Sequence, residues 1–224
     1  MNLRFIGYNG PVPETSKGLA ELMSQRRYTK KAKSGFYLES SSSSELRGRF
    51  IRRVERNRKI EDPVAGDASF TEIYFESTRF IFYLDSKTIC LVDSPRSSRF
   101  FTGALEATFG RGFILESLHL DVATAVDFFS TSFKITVRQV DIRNSVIAAG
   151  VEATIIARGV KGVMDAINKL NSRKGGNIAK VKLEILSDSK PHCLIIHKGM
   201  RFIFDDGSQE FLVSQIVEIV SKTR

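Results

Sequence analysis

The spacing of apolar positions changes several times along the chain, and each change marks an element. Residues 2–8 are mostly apolar and stop at Asn9-Gly10-Pro11, a breaker cluster, so they predict a short strand. Ser16 stands where it can cap a helix running through Leu19, Leu22, Met23 and Arg26. Residues 36–38 are apolar, and the five serines at 40–44 read as a loop or linker. Then Leu46, Phe50 and Val54 recur at a spacing of four, with Ile51 beside them, which predicts an amphipathic helix over 45–59. A rival reading pairs 35–39 with 48–54 as two strands across the serine loop. Gly48 weakens the helix by about 1 kcal/mol relative to alanine, but the strand would put arginine on both faces. The helix is the preferred expectation.

After the loop 61–68, which contains Pro63 and Gly66, the pattern turns to β-branched and aromatic residues. Residues 70–76, 79–85 and 88–93 predict an antiparallel meander. Phe101, Leu105 and Phe109 lie one helical turn apart, predicting a helix over 98–109 that Gly110 and Gly112 end. Residues 113–120 predict a strand. Asp121 caps a helix whose Val122, Ala125, Val126 and Phe129 follow i, i+3, i+4, i+7. Residues 133–142 alternate and then slip phase, which places a bulge near Arg138-Gln139. Arg143-Asn144 reads as the turn into a return strand over 145–157. Val160, Val163, Met164, Ile167 and Leu170 form one helical stripe. Residues 178–186 alternate as a half-exposed strand, 193–197 and 200–205 flank a hairpin at Lys198-Gly199, and Leu212, Ile216, Ile219 and Val220 line a last helix.

These elements predict an α+β fold: antiparallel sheets with about five helices packed on one face. The order strand, turn, strand, loop, helix occurs at 80–109 and again at 193–220, which suggests two related halves, 69–142 and 143–224.

Charge adds the strongest functional signal. The net charge is +9 over 224 residues. Residues 1–60 hold fourteen Lys and Arg against five Asp and Glu, while residues 61–224 hold twenty of each. The expected organisation is therefore a basic N-terminal region, 1–60, before a neutral body, 61–224. Two clusters carry the excess: Arg26, Arg27, Lys30, Lys31 and Lys33, then Arg47, Arg49, Arg52, Arg53, Arg56, Arg58 and Lys59. Guanidinium matches phosphate oxygens in pairs and stacks on bases, so the expected partner is nucleic acid, DNA or RNA, held by its backbone. Tyr28, Tyr37 and Phe50 are nearby stacking candidates. An acidic partner protein is the competing occupant, and self-association is a further expectation.

Little points to chemistry. Asp85, Asp93, Asp205 and Asp206 stand at strand ends and suit a metal-dependent nuclease as the alternative reading. Aspartate there is ordinary turn chemistry, and no lysine follows at a nuclease-like spacing. Asp188-Ser189-Lys190 sits in a turn. Cys193 and His197 would stand about 13 Å apart on one strand, with His192 on the opposite face, so shared ligation is disfavoured. His119 reads as a strand histidine, and the glycines of residues 173–177 offer backbone N–H groups to a phosphate. Arg111-Gly112-Phe113 begins like an RNA-reading strand but departs from it at Ile114. No cofactor, metal or catalytic residue is expected. Cys90 and Cys193 sit in apolar runs and read as buried thiols of a reducing, cytoplasmic compartment. No run approaches the ~20 apolar residues of a membrane span.

Overall fold

Strand pairing dominates the chain. A computed structural model describes residues 1–60, 68–95, 97–148, 151–159, 177–187, 190–205 and 209–223. The described elements, in order, are β1 (Asn2–Asn9), α1 (Ser16–Ser24), β2 (Ser34–Ser41), β3 (Glu45–Ile60), β4 (Ala68–Tyr83), β5 (Thr88–Val92), α2 (Arg99–Phe109), β6 (Ile114–Glu116), α3 (Val122–Ser132), β7 (Lys134–Ala148), β8 (Val151–Arg158), β9 (Asn177–Ser187), β10 (Lys190–His197), β11 (Arg201–Phe204) and α4 (Gln209–Thr223). The strands form an eleven-stranded antiparallel sheet in the order β2-β3-β4-β5-β1-β11-β10-β9-β7-β8, with β6 on β1. The coarse α+β expectation therefore holds. No described helix is long and apolar enough to cross a membrane.

The chain divides into two compact units, residues 7–116 and residues 1–6 with 117–224. In the first, β2, β3, β4 and β5 form a meander, and β3 pairs β4 over sixteen rungs from Glu45↔Tyr83 to Ile60↔Ala68. Its core is aromatic. Phe101 of α2 packs on Phe36, Phe50 and Phe80 at ring separations of 6.5, 6.1 and 5.4 Å, and Phe109 packs on Phe82 and Phe113. Edge-on and tilted ring pairs of this kind add about 0.5–1.5 kcal/mol each beyond burial. In the second unit, β11, β10, β9, β7 and β8 run in order, and residues 2–4 of β1 pair β11. Helix α3 packs against β7, β9 and α4. The order strand, turn, strand, helix is present in each unit, as β4-β5-α2 and as β10-β11-α4.

Several expectations are corrected. Residues 45–59 are not a helix but lie within β3, so the rival hairpin is the observed one. Residues 70–76 and 79–85 are one strand, β4, without a turn between them. Strand β6 covers three residues only, which leaves His119 outside any strand. Strand β7 runs on to Ala148, so Arg143-Asn144 is not a turn. Helix α1 is capped by Thr15 rather than Ser16: the Thr15 hydroxyl accepts from the Gly18 N–H at 3.2 Å. The Asp121 cap is observed, accepting from the Ala123 N–H at 3.1 Å. The bulge near Arg138 is observed as a register shift between Val137 and Gln139. The helical stripe from Val160 to Leu170 lies outside the described residues, as do residues 173–176, Asp188 and Asp206.

Candidate functional site

Both basic clusters fall in the unit of residues 7–116, and the backbone brings them to one place. After α1 the chain turns at residues 29–32, where the Ala32 N–H donates to the Thr29 carbonyl at 3.0 Å. On its way it runs beside β2: Phe36 N–H donates to the Arg26 carbonyl at 2.9 Å, and Tyr28 N–H donates to the Phe36 carbonyl at 2.8 Å. Gly35 permits this approach, since a Cβ there would stand 2.6 Å from the Tyr28 nitrogen. The loop ends against β3, where the Arg53 N–H donates to the Lys33 carbonyl at 2.8 Å. Arg26, Arg27, Lys30, Lys31 and Lys33 are all exposed. Charges 20 residues apart in sequence thus meet at the base of the β3–β4 ribbon.

Beyond that base the ribbon leaves the sheet. Strand β2 pairs β3 no further than Arg52, and β5 pairs β4 no further than Arg79. Among the described residues, the eight rungs from Arg53↔Phe75 to Ile60↔Ala68 have no third strand beside them. Residues 53–60 and 68–75 are therefore a two-stranded arm about 25 Å long at ~3.4 Å per residue. Its strands differ in character. Strand β3 supplies Arg53, Arg56, Arg58 and Lys59, and β4 supplies exposed Phe70, Ile73, Tyr74 and Phe75.

Many of the arginines already have carboxylate partners. Arg47 pairs with Glu45 at 2.8 Å, Arg53 with Glu55 at 3.2 Å and Arg58 with Glu72 at 2.8 Å, and Arg49 is ion-paired with Glu39. Two nitrogens of Arg52 donate to one oxygen of Glu76, at 3.1 and 2.7 Å. The Arg52 guanidinium carbon also stands 3.5 Å from the Phe100 ring centre, a cation–π contact to an exposed ring. The Glu45 contact comes first among the causes that raise the Arg47 pKa. Exposed pairs of this kind add ~0–1 kcal/mol of stability, but each one neutralises a charge that a phosphate would otherwise meet. Among the described residues, Arg26, Arg27, Lys30, Lys31, Lys33, Arg56 and Lys59 have no ion-pair partner.

Counting charge by unit rather than by sequence position changes the picture. Residues 7–116 hold eighteen basic and fourteen acidic side chains, +4, and the other unit holds sixteen and eleven, +5. The carboxylates of residues 61–116 offset much of the early excess. What distinguishes the candidate site is a local cluster, not a uniformly basic unit.

The other candidates take ordinary places. Phe50 is buried in the aromatic core and is not a stacking surface, while Tyr37 is exposed. Phe113 packs on Phe109 at 4.8 Å. Asp93 is ion-paired with Arg79 at 2.7 Å, and Asp205 accepts from the Cys193 N–H at 2.9 Å. Cys90 is fully buried, and burial raises its pKa. Cys193 is only partly buried, contrary to expectation. His192 lies edge-on to Phe211 at 5.5 Å. His197 is half-buried, and burial, then Arg201 and Lys180, lowers its pKa.

The exposed apolar residues of the arm were missed by the sequence reading. Their signal was present: Ile73, Tyr74 and Phe75 are three consecutive apolar residues, which breaks the alternation of a one-sided strand. The chain matches no protein-family model, and no curated protein matches it.

Proposed function

We propose that this protein binds nucleic acid, holding the phosphate backbone with the loop of residues 26–33 and with the arm that β3 and β4 extend. The observation that carries the reading is the meeting of the two clusters: Lys33 and Arg53 are joined by a backbone hydrogen bond, and the loop that ends there carries five exposed cations. The seven cations that have no carboxylate partner among the described residues are enough to give phosphate binding a steep salt dependence. The reading needs no catalysis. Asp93 is ion-paired with Arg79 and Asp205 accepts from the Cys193 N–H, so both carboxylates already hold structural partners.

We take the helices to pack on one face of the sheet within residues 7–116. The rings of α2 meet Phe36, Phe50 and Phe80, while Tyr37, Arg49 and Arg79, which face one another across three strands, are about half exposed. The second face is then open surface continuous with the arm.

The test is retention of labelled oligonucleotides by the full chain at low salt, followed as salt rises. Binding that falls steeply supports the reading. Failure to bind any oligonucleotide, with capture of a polyglutamate peptide instead, replaces it with an acidic protein partner.

A further inference from the structure

We infer that the partner is double-stranded DNA and that the arm enters its major groove. This rests on the nucleic-acid reading above and deepens it. Phe70 and Tyr74 lie on one face of the arm, Ile73 and Phe75 on the other, because alternate residues of a strand point to opposite sides. Their exposures are 47% and 39% on the first face, 47% and 60% on the second. A ribbon that docks flat on a partner hides one face and leaves the other in water. Apolar side chains on both faces call for walls on both sides. Those walls must also tolerate Arg56 and Lys59 of β3, which phosphate does and an apolar protein cleft does not.

The dimensions narrow the choice. A two-stranded ribbon fits the major groove of B-form DNA, about 12 Å wide, without deforming it, whereas the minor groove, about 6 Å wide, takes one only when the duplex is opened and bent at a cost. The major groove of an A-form RNA duplex is too deep and narrow for side chains to read. A single strand suits rings and cations that alternate closely on one face. Here Phe70 and Tyr74 are four residues apart, about 13 Å, with Glu72 between them. Thymine methyl groups in the major groove offer apolar contacts to the rings, while Arg56 and Lys59 reach the flanking phosphates.

The test uses the full chain and three probes of one sequence: a 30-base-pair DNA duplex, its single strand and the matching RNA duplex. The structure predicts at least tenfold tighter binding to the DNA duplex than to either other probe. Phe70→Ser with Phe75→Ser should weaken duplex binding at least tenfold while leaving the salt slope unchanged. Both side chains are exposed, so the thermal midpoint of the variant should match the parent. A second measurement needs no variant: dimethyl sulfate methylates guanine N7 in the major groove and adenine N3 in the minor groove, and bound protein should protect the former alone. Preference for single strands or RNA, full-strength binding by the variant, or protection of adenine N3 alone overturns the inference and leaves nucleic-acid binding standing. If none of the three probes is bound at low salt, the nucleic-acid reading falls, and the inference falls with it.

Discussion

Removing the three loop lysines together, Lys30→Gln, Lys31→Gln and Lys33→Gln, is the perturbation that most sharply separates useful charge from neutralised charge. Of the twelve cations in the two clusters, Arg47, Arg49, Arg52, Arg53 and Arg58 hold carboxylate partners. The seven others are Arg26, Arg27, Lys30, Lys31, Lys33, Arg56 and Lys59. If each of the seven releases one phosphate counterion, log K falls against log salt with a slope of about −6, whereas twelve would give about −11. A rise from 50 to 200 mM salt then weakens the parent roughly 6,000-fold and the triple variant only about 150-fold, at a slope of about −3.6. The assay is fluorescence anisotropy of a labelled DNA duplex titrated at four or more salt concentrations. The control is Arg47→Gln with Arg49→Gln, two exposed arginines that already have partners, whose slope should stay near the parent's. A triple variant with the parental slope, or a control that loses as much slope as the triple variant, refutes the reasoning.

Other predictions bear on the same framework and on the fold. Glu39→Gln frees Arg49 and should steepen the slope by about 0.9 in the same titration. Phe101→Ala removes the ring that joins Phe36, Phe50 and Phe80, and should cost about 3–5 kcal/mol in urea unfolding, whereas Phe75→Ala on the exposed arm should stay within about 0.5 kcal/mol. For His197, burial holds the folded pKa below the ordinary 6.5, so the folded state binds fewer protons than the unfolded chain. Its contribution is intact above pH 6.5 and is lost as pH falls from there through the folded pKa. The thermal midpoint should therefore drop between pH 7.5 and 5.5, and His197→Gln should flatten that drop. An unchanged drop in the variant assigns it to other groups.

The sequence pattern was legible wherever one period alone fitted it. Val122, Ala125, Val126 and Phe129 in α3 fit a helix and no strand, and all four are buried. Strand β3 was misread because a spacing of four satisfies both periods. Leu46, Phe50 and Val54 share a face on a helix and equally on a strand. The positions between them hid the alternation. Gly48 stands where a Cβ would come within 2.8 Å of the Phe80 ring, and Arg52 lies over Phe100. Both belong to the same face as Leu46 and Phe50, although neither is apolar. Strand β4 was split at Ser77-Thr78 because polar residues there resemble a turn. Thr78 is buried opposite Phe50, and Ser77 faces outward at the root of the arm. The two basic clusters were visible as composition. Their meeting was not, because it depends on how the loop of residues 26–33 lies against β2 and β3, which no local period encodes.

The most direct measurement of the central claim is lysine acetylation with and without saturating DNA duplex, read residue by residue by mass spectrometry. Lys30, Lys31, Lys33 and Lys59 are exposed and should each lose at least half of their reactivity when duplex is bound, while exposed Lys190 and Lys222 of the other unit react as before. Duplex bound at saturation with those four lysines reacting at their free rates would contradict the account.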